Sequence, residues 1–580
     1  MRHTLRKNNP STRLLILTLC FFCSGFSLVK PNIVIILADD MGYGDVKAMN
    51  ALAKTTTPQL DRLADSGMIF TNAHASGSSC IISRFGLMTG QYPMRRATFN
   101  YDLEPLIDTS QWTIASVLKR NGYRTGMVGK WHLGFNYASY NNLTDGPVDR
   151  GFDFYYGLSR SLDQNDYYFI HGRKAVAPTV AMPASAGYGQ NGWQGPFWRA
   201  GTASPGFIHA EVLNNFTDTA ISFINRTADS SLPFLLYLAY PSPHTPWLPS
   251  VNFRGTSPIG EWGDWIAEND AAYGRVVQAI YNKGLKNNTL IIFTSDNGPV
   301  WWPIDITTTG HQSAGIYRGM KFDPWEGGHR MPFIASWPGI IQKGSRTNQL
   351  ISNTDFLATF AAMVCQPLPD NVAEDSYNIW PALLNSNLAT PVRGPFLELP
   401  AGGSGSPLVV INGDWKLIEQ GNQLYNLRTD PSETNNVYAA NPTIVAQLRL
   451  IISNGVSRGY TVPHPRTNTC TIFGCMNMQS PNYDPMAVAE PIGACLPTTG
   501  ISNSSAHADQ SWVINRQGSL QVLSAEVRSI VLKTLQGRVI YSIRNPGMRS
   551  YDLSKLSHRG MFLVEVEFRS GSVQSVSIKL

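Results

Sequence analysis

Two short acidic clusters stand at the ends of apolar runs. Asn32–Ala38 leads directly into Asp39-Asp40, and Leu290–Thr294 leads through Ser295 into Asp296-Asn297. Adjacent carboxylates repel one another unless a cation holds them, and hard oxygen donors suit Ca²⁺ or Mg²⁺. A helix N-cap with a first-turn acid is the other ordinary use of such a pair. Two acidic pairs, each at the end of a strand, favour a metal site over two caps. Between them lies a single cysteine, Cys80, in Ser79-Cys80-Ile81-Ile82-Ser83-Arg84. Basic groups gather in Gly129-Lys130-Trp131-His132-Leu133-Gly134, in Pro243-His244-Thr245-Pro246 and at Lys321. Taken singly, each of these lysines and histidines reads as a solvated or turn residue.

The elements that must position these groups follow from apolar patterning. Asn32–Ala38 is continuous and rich in β-branched residues, as a parallel strand covered on both faces is. Thr57-Pro58 opens a helix through Leu60, Leu63 and Ala64, stopped by Gly67. A helix from Thr113 to Arg120 precedes a strand at Arg124–Val128. Pro233–Ala239, Thr289–Thr294 and Pro332–Ser336 read as further buried strands, and Asp264 to Lys283 as a helix. Strands alternating with helices predict a doubly wound α/β sheet, with ligands beyond the carboxyl ends of its strands. That catalytic domain is expected over 28–395. Within it, 140–210 is rich in Gly, Ala, Tyr and Trp without a period, and reads as a long loop excursion over the catalytic face. Residues 396–465 hold short alternating runs and then a helix, the pattern of a small antiparallel sheet with one helix. A linker is expected over 466–515 and a small β-sandwich over 516–580.

Composition narrows the function classes. Charged residues make up 15% and hydrophobic ones 43% of the 580. A charged fraction below the roughly 25% of ordinary soluble proteins, with that much apolar content, excludes a disordered chain. The formal net charge is +6, but the basic excess sits in the first 27 and the last 65 residues. The body between them is mildly acidic, so nothing supports nucleic-acid binding. Residues 1–27 combine a basic start, an apolar run from Leu14 to Phe22 and small residues at Gly25 and Ser27, the pattern of a secretory signal. That run is short for a membrane span, and no later stretch supplies about 18 consecutive apolar residues. Cys80, Cys365, Cys470, Cys475 and Cys495 would remain after cleavage. One bridge is expected within the Cys470, Cys475, Cys495 cluster; Cys365 reads as an inert core residue and Cys80 as the one for chemistry.

Taken in order, the motifs resemble those of type I sulfatases of the arylsulfatase A and N-acetylgalactosamine-6-sulfatase kind, in the alkaline-phosphatase superfamily. The opening Asp-Asp-x-Gly-x-Gly-Asp is matched at Asp39 to Asp45. The Cys-x-Pro-Ser-Arg signature with Leu-x-Thr-Gly is matched at Cys80, Ser83, Arg84, Leu87, Thr89 and Gly90. Gly129 to Gly134, Pro243 to Pro246, Ser295 to Gly298, Arg318 to Lys321 and Trp325 to Arg330 continue the series. The resemblance runs from about residue 31 to 440. It implies that Cys80 begins a helix and is oxidised to Cα-formylglycine by a formylglycine-generating enzyme. A hydrated aldehyde has one hydroxyl to attack sulfur and a second to expel sulfate afterwards. The resemblance further implies one Ca²⁺, held by Asp39, Asp40, Asp296 and Asn297 with the Cys80 side chain. Arg84 and Lys130 would neutralise charge, His132 would be the base, and His244 and Lys321 would hold sulfate and protonate the leaving alcohol. One position departs from the signature: Ile82 stands where the family has proline.

Further groups are candidates for substrate contact: His311, Asp323 and His329, with Trp193, Trp198, Trp301 and Trp302 as platforms for sugar rings. The tail, from Val527 through Gly537–Ile543 and Gly560–Phe568 to Ile578-Lys579-Leu580, resembles the sorting domain of type IX secretion in Gram-negative bacteria. A carbohydrate-binding sandwich is the rival reading of the tail. The sequence thus predicts an exported sulfatase acting on a sulfated polysaccharide or oligosaccharide, placed in the periplasm, on the cell surface or outside. Export machinery and the maturation enzyme would be its partners. A phosphodiesterase or phosphonate hydrolase of the same superfamily is one alternative. A sulfoglycan-binding protein with unmodified Cys80 is the other.

Overall fold

A computed structural model describes residues 30–473, apart from 97, 98, 100–103 and 401–407, and beyond them 476, 487–491 and the strands between 512 and 579. The expected secretory signal lies outside the described residues.

The apolar runs become one ten-stranded sheet. Its strands in chain order are β1 (Asn32–Asp39), β2 (Met68–Phe70), β3 (Arg124–Lys130), β4 (Phe154–Leu158), β5 (Ile170–His171), β6 (Lys174–Ala175), β7 (Phe234–Pro243), β8 (Thr289–Ser295), β9 (Phe333–Ser336) and β10 (Ser345–Thr347). Their spatial order is β10-β2-β9-β8-β1-β7-β3-β4-β5-β6. β8, β1, β7, β3 and β4 are parallel neighbours. β9 departs from the parallel pattern, pairing antiparallel with both β8 and β2.

Both faces of β1 are covered, which is why its sequence shows no alternation. Ile33, Ile35 and Leu37 pack in one core with α2 (Cys80–Thr89), α3 (Ile114–Arg120) and an apolar helix at Phe356–Met363. Val34, Ile36 and Ala38 pack in the other with α1 (Pro58–Asp65), α4 (Val212–Ala228) and α5 (Glu261–Asn282). Successive side chains point to opposite faces, so a single strand feeds two hydrophobic cores. Helix starts follow the capping rules: the Thr113 side chain accepts from Ser116 N at the head of α3, and Pro58 opens α1.

Three expectations are corrected. Residues 140–210 are not only loop: Phe154–Leu158 is an interior strand of the sheet, and Ile170–His171 and Lys174–Ala175 extend its edge. The aromatic content that hid any period there serves packing, as in the stacking of Tyr156 on Phe169. Cys365 is not an inert thiol, because it is bridged to Cys470. This also removes Cys470 from a bridge with Cys475 or Cys495, which lie outside the described residues. The linker begins later than 466, since Phe473 is fully buried between Trp337 and Trp380.

A second sheet, antiparallel, orders Phe396–Glu398, Val409–Asn412, Trp415–Ile418 and Gln423–Asn426 side by side. The helix Pro442–Arg458 packs on it through Val445, Leu448 and Ile452. The tail forms two further antiparallel sheets, one of three strands between Trp512 and Asp552 and one of four between Val527 and Lys579.

Where β3 meets β7 the backbones approach closely. Gly129 has φ +111°, and a Cβ there would lie 1.9 Å from the Ala239 carbonyl oxygen. Gly129→Ala is expected to destabilise the fold by at least ~2 kcal/mol, from left-handed strain plus the clash. Scanning calorimetry would show a lowered Tm; an unchanged Tm would contradict this account of the β3–β7 seam.

Candidate active site

The four adjacent strands β8, β1, β7 and β3 end at one edge, and register brings their ends level. Ala38 pairs with Ser295, Asp39 with Pro243, and Ala239 with Gly129. Each strand therefore delivers a charged or metal-ligating group there: Asp39 and Asp40 from β1, Asp296 and Asn297 from β8, Lys130 from β3 and His244 after β7.

The acids and bases interlock. Lys130 Nζ donates to Asp39 Oδ2 at 2.5 Å, and Lys321 Nζ pairs with Asp40 Oδ1 at 2.6 Å. Arg84 is fully buried. Its Nε donates to Asp296 Oδ2 at 2.9 Å and its Nη1 to the Lys130 carbonyl at 2.8 Å, while Nη2 stands 3.6 Å from Asp39 Oδ2. Asn297 Nδ2 donates to Asp40 Oδ1 at 2.7 Å, and His244 Nε2 lies 3.6 Å from Asp40 Oδ2. Asp40 and His132 both hold positive φ, at 66° and 58°. Non-glycine residues there carry strain that is found most often at functional sites.

The charges set the protonation states. Burial alone would raise Asp39, but Lys130, His244, Arg84 and Lys321 outweigh it and hold its carboxyl well below the usual range. Burial and the Asp39 charge push Asp296 up to about 6, against the pull of Arg84 and Lys130. Burial would lower Lys321, yet Asp40 and its neighbours raise it and keep it charged. Burial, with Lys130 and Arg84, drives His132 well below its ordinary value, so it is neutral and able to accept a proton. Burial raises the Cys80 thiol, which makes the unmodified side chain a protonated, weak nucleophile.

Cys80 is the first residue of α2, following Ser79 in extended conformation. The helix N-terminus thus faces the cluster and favours anions there. Ile82 is fully buried, and Gly77 makes room for it: a Cβ on Gly77 would lie 2.4 Å from Ile82 Cδ1. The missing proline is therefore no defect in the fold.

The donor set fits a divalent cation. Asp39 Oδ1 and Asn297 Oδ1 are buried without a hydrogen-bond partner. Asp39, Cys80 and Asp296 offer ligand atoms within 4.8 Å of one another. Three carboxylates and an amide oxygen form the hard-oxygen set that Ca²⁺ takes. Three fixed cations, Arg84, Lys130 and Lys321, already balance the three acids. A divalent ion would leave the site positive and ready for an anionic ester.

Above the cluster opens a cavity of about 250 Å³, into which Cys80, His132, His244 and Lys321 project. The structure thus brings together every catalytic and metal residue that the resemblance implied: those four line the cavity with Asp40, while Asp39, Arg84, Lys130, Asp296 and Asn297 are fully buried in the cluster behind them. It does not bring in His311 or His329. His311 Nε2 pairs with Asp45 Oδ1 at 2.8 Å, bracing the loop after β1. His329 is buried against His74, Lys416 and Glu398. His74, Glu326 and His329 could geometrically hold a metal. Lys416 Nζ, 3.0 Å from both Glu326 Oε1 and His329 Nε2, already fills that role with its own charge. Asp323 accepts from Met320 N and shapes a turn. Of the four tryptophans only Trp193 lines this cavity. Among the lining groups that were missed, Asp163, Gln164, Gln194 and Arg199 come from 140–210, where no motif marks them, and Trp247 and Trp262 come from beyond it.

The sulfatase family profile matches residues 31–364, and that of the N-sulphoglucosamine sulphohydrolase C-terminal region matches 321–453. The chain is 33% identical over 496 residues to N-acetylgalactosamine-6-O-sulfatase of Bacteroides thetaiotaomicron, covering 75% of this chain and 95% of that protein. It is 34% identical over 373 residues to human arylsulfatase A, covering 63% and 70%. A solved Bacteroides thetaiotaomicron sulfatase from work on glycosaminoglycan metabolism superposes with a TM-score of 0.66 at 32% identity, over 74% of this chain and all of that one.

Protons and the cation should compete for Asp296. Calorimetric titration of chelator-treated protein is expected to show Ca²⁺ affinity rising roughly tenfold from pH 5 to pH 7, as Asp296 loses its proton. A flat affinity across that range would contradict the assignment of Asp296 as a ligand.

Proposed function

The chain belongs to the sulfatase family and is a sulfuric ester hydrolase; from that premise we propose that it removes 6-sulfate from N-acetylgalactosamine residues of a sulfated glycan. The supporting observation is the match to the N-acetylgalactosamine-6-O-sulfatase over nearly that protein's whole length. The ordered site residues, all at one strand edge, agree with it.

Asp39, Asp40, Asp296 and Asn297 would hold Ca²⁺, which supplies Lewis-acid charge for sulfate oxygens. Formylglycine at Cys80 supplies a hydrated aldehyde as nucleophile and as the means of releasing sulfate. The remaining work falls to this chain's own side chains. Arg84 and Lys130, locked by Asp296 and Asp39, supply fixed positive charge from the buried cluster, with no reorganisation needed as negative charge develops. Lys321, charged and tied to Asp40, and His244, on the next strand end, stand in the cavity to receive the sulfate and protonate the departing sugar oxygen. His132, kept neutral by burial and with Nδ1 unpartnered, takes up the proton when sulfate leaves.

Export completes the proposal. The basic and apolar start favours secretion, and the four-stranded tail sheet from Val527 to Lys579 is compatible with a type IX sorting domain. Both support a reading in which the enzyme acts in the periplasm, at the surface or outside a Gram-negative cell. Ile82 favours one second reading, a sulfoglycan-binding protein whose Cys80 stays a thiol.

The test is sulfate release by protein co-produced with a formylglycine-generating enzyme. Activity on N-acetylgalactosamine 6-sulfate well above that on the 4-sulfate is expected, and Lys321→Ala or His244→Ala should lower kcat/KM by about 10²–10⁴. Preference for phosphodiesters, or full activity in either variant, would overturn the proposal.

A further inference from the structure

The cavity wall contributed by the 160–200 stretch carries a carboxylate with one oxygen left without a partner. Asp163 is 5% exposed and lines the cavity beside His244. Its Oδ2 is gripped by the Arg199 guanidinium, and Arg199 N donates to the Asp163 carbonyl at 3.0 Å. Its Oδ1 has no hydrogen-bond partner. The nearest cationic candidate, His244 Nδ1, is 3.9 Å away and is engaged with the Thr245 carbonyl at 2.8 Å. Next to this pair Trp193 is 55% exposed, with the Arg199 guanidinium carbon 5.9 Å from its ring centroid.

A buried carboxylate oxygen without a donor costs roughly 1–3 kcal/mol. Its neighbour Oδ2 is already fixed, so Oδ1 cannot rotate away to solvent without breaking the Arg199 pair. The group is thus prepared to accept from a donor brought by the substrate. Hydroxyl groups are the donors a sugar carries in number, and Trp193 offers the flat apolar face that a pyranose ring can lie on. An anion in the same place would meet a second acceptor, the carboxylate oxygen, with no donor between them.

We propose that Asp163 is a specificity-determining residue that accepts a hydrogen bond from the hydroxyl next to the sulfated position, so that a sugar carrying a second sulfate there is rejected. This rests on the sulfatase reading above. The site takes residues sulfated once in this neighbourhood and leaves the removal of an adjacent sulfate to an enzyme acting earlier.

The test uses holoenzyme with formylglycine verified, and four substrates: 4-methylumbelliferyl sulfate, N-acetylgalactosamine 6-sulfate, its 4-deoxy analogue and the 4,6-disulfate. For the wild type, kcat/KM should fall roughly tenfold or more without the 4-hydroxyl, and roughly a hundredfold or more with the 4-sulfate. Asp163→Asn removes the charge and should narrow the 6-sulfate to 4,6-disulfate ratio by about tenfold. General damage would lower both rates and leave that ratio alone. If the variant fails to fold, the wild-type comparison with the 4-deoxy sugar carries the test. Equal wild-type rates on the three sugars, an unchanged ratio in Asp163→Asn, or cleavage of the aryl ester alone would overturn the proposal. Failure on all four substrates would overturn the sulfatase reading as well.

Discussion

Three carboxylates cannot be buried side by side at a sheet edge unless positive charge is buried with them. Here Asp39, Asp40 and Asp296 meet Lys130, Lys321 and Arg84, each acid with its own base at 2.5 to 2.9 Å. Desolvation makes every one of these groups expensive on its own. Removing one partner of such a pair typically costs about 3–5 kcal/mol. The cluster is therefore held by the fold and in turn dictates it. Parallel strands must be adjacent, their ends level, and α2 must start where the positive edge opens.

That last requirement explains the second buried ionic network. The loop before Cys80 is tied down by Ala75 N donating to the His329 carbonyl at 2.8 Å and Ser78 Oγ donating to the Pro400 carbonyl at 2.7 Å. His329 belongs to a cluster in which Lys416 Nζ pairs with Glu326 at 3.0 Å and Glu433 at 2.9 Å. Lys416 and Glu398 lie on strands of the antiparallel subdomain. The subdomain thus supports the loop before Cys80 through charge, although none of its described residues lines the cavity.

What was legible in the sequence was the chemistry that local patterning carries. Continuous apolar runs announced the strands, and the acids at their ends marked the sheet edge because the fold places ligands there. Cys80 at the head of α2 came from the ordered motifs rather than from helix signals, since Ser79 makes no capping bond. Other features lay in distant contacts. Cys365 and Cys470 are 105 residues apart and nothing local links them. His311 and His329 sit in motif-like segments, yet their partners Asp45 and Lys416 come from remote strands and turns, which makes them braces. Asp163 and Arg199 arise in a stretch where aromatic packing erases any period, so their pairing is visible only once the chain is folded.

Peptide mass spectrometry across Cys80, on protein purified from its native host, tests the central claim most directly. The charged edge, the helix terminus and the cavity all converge on that side chain, the proposed reacting group. The account predicts an aldehyde or its hydrate at position 80 despite Ile82. An intact thiol throughout would contradict it and would leave the cluster as a binding site for sulfated sugars.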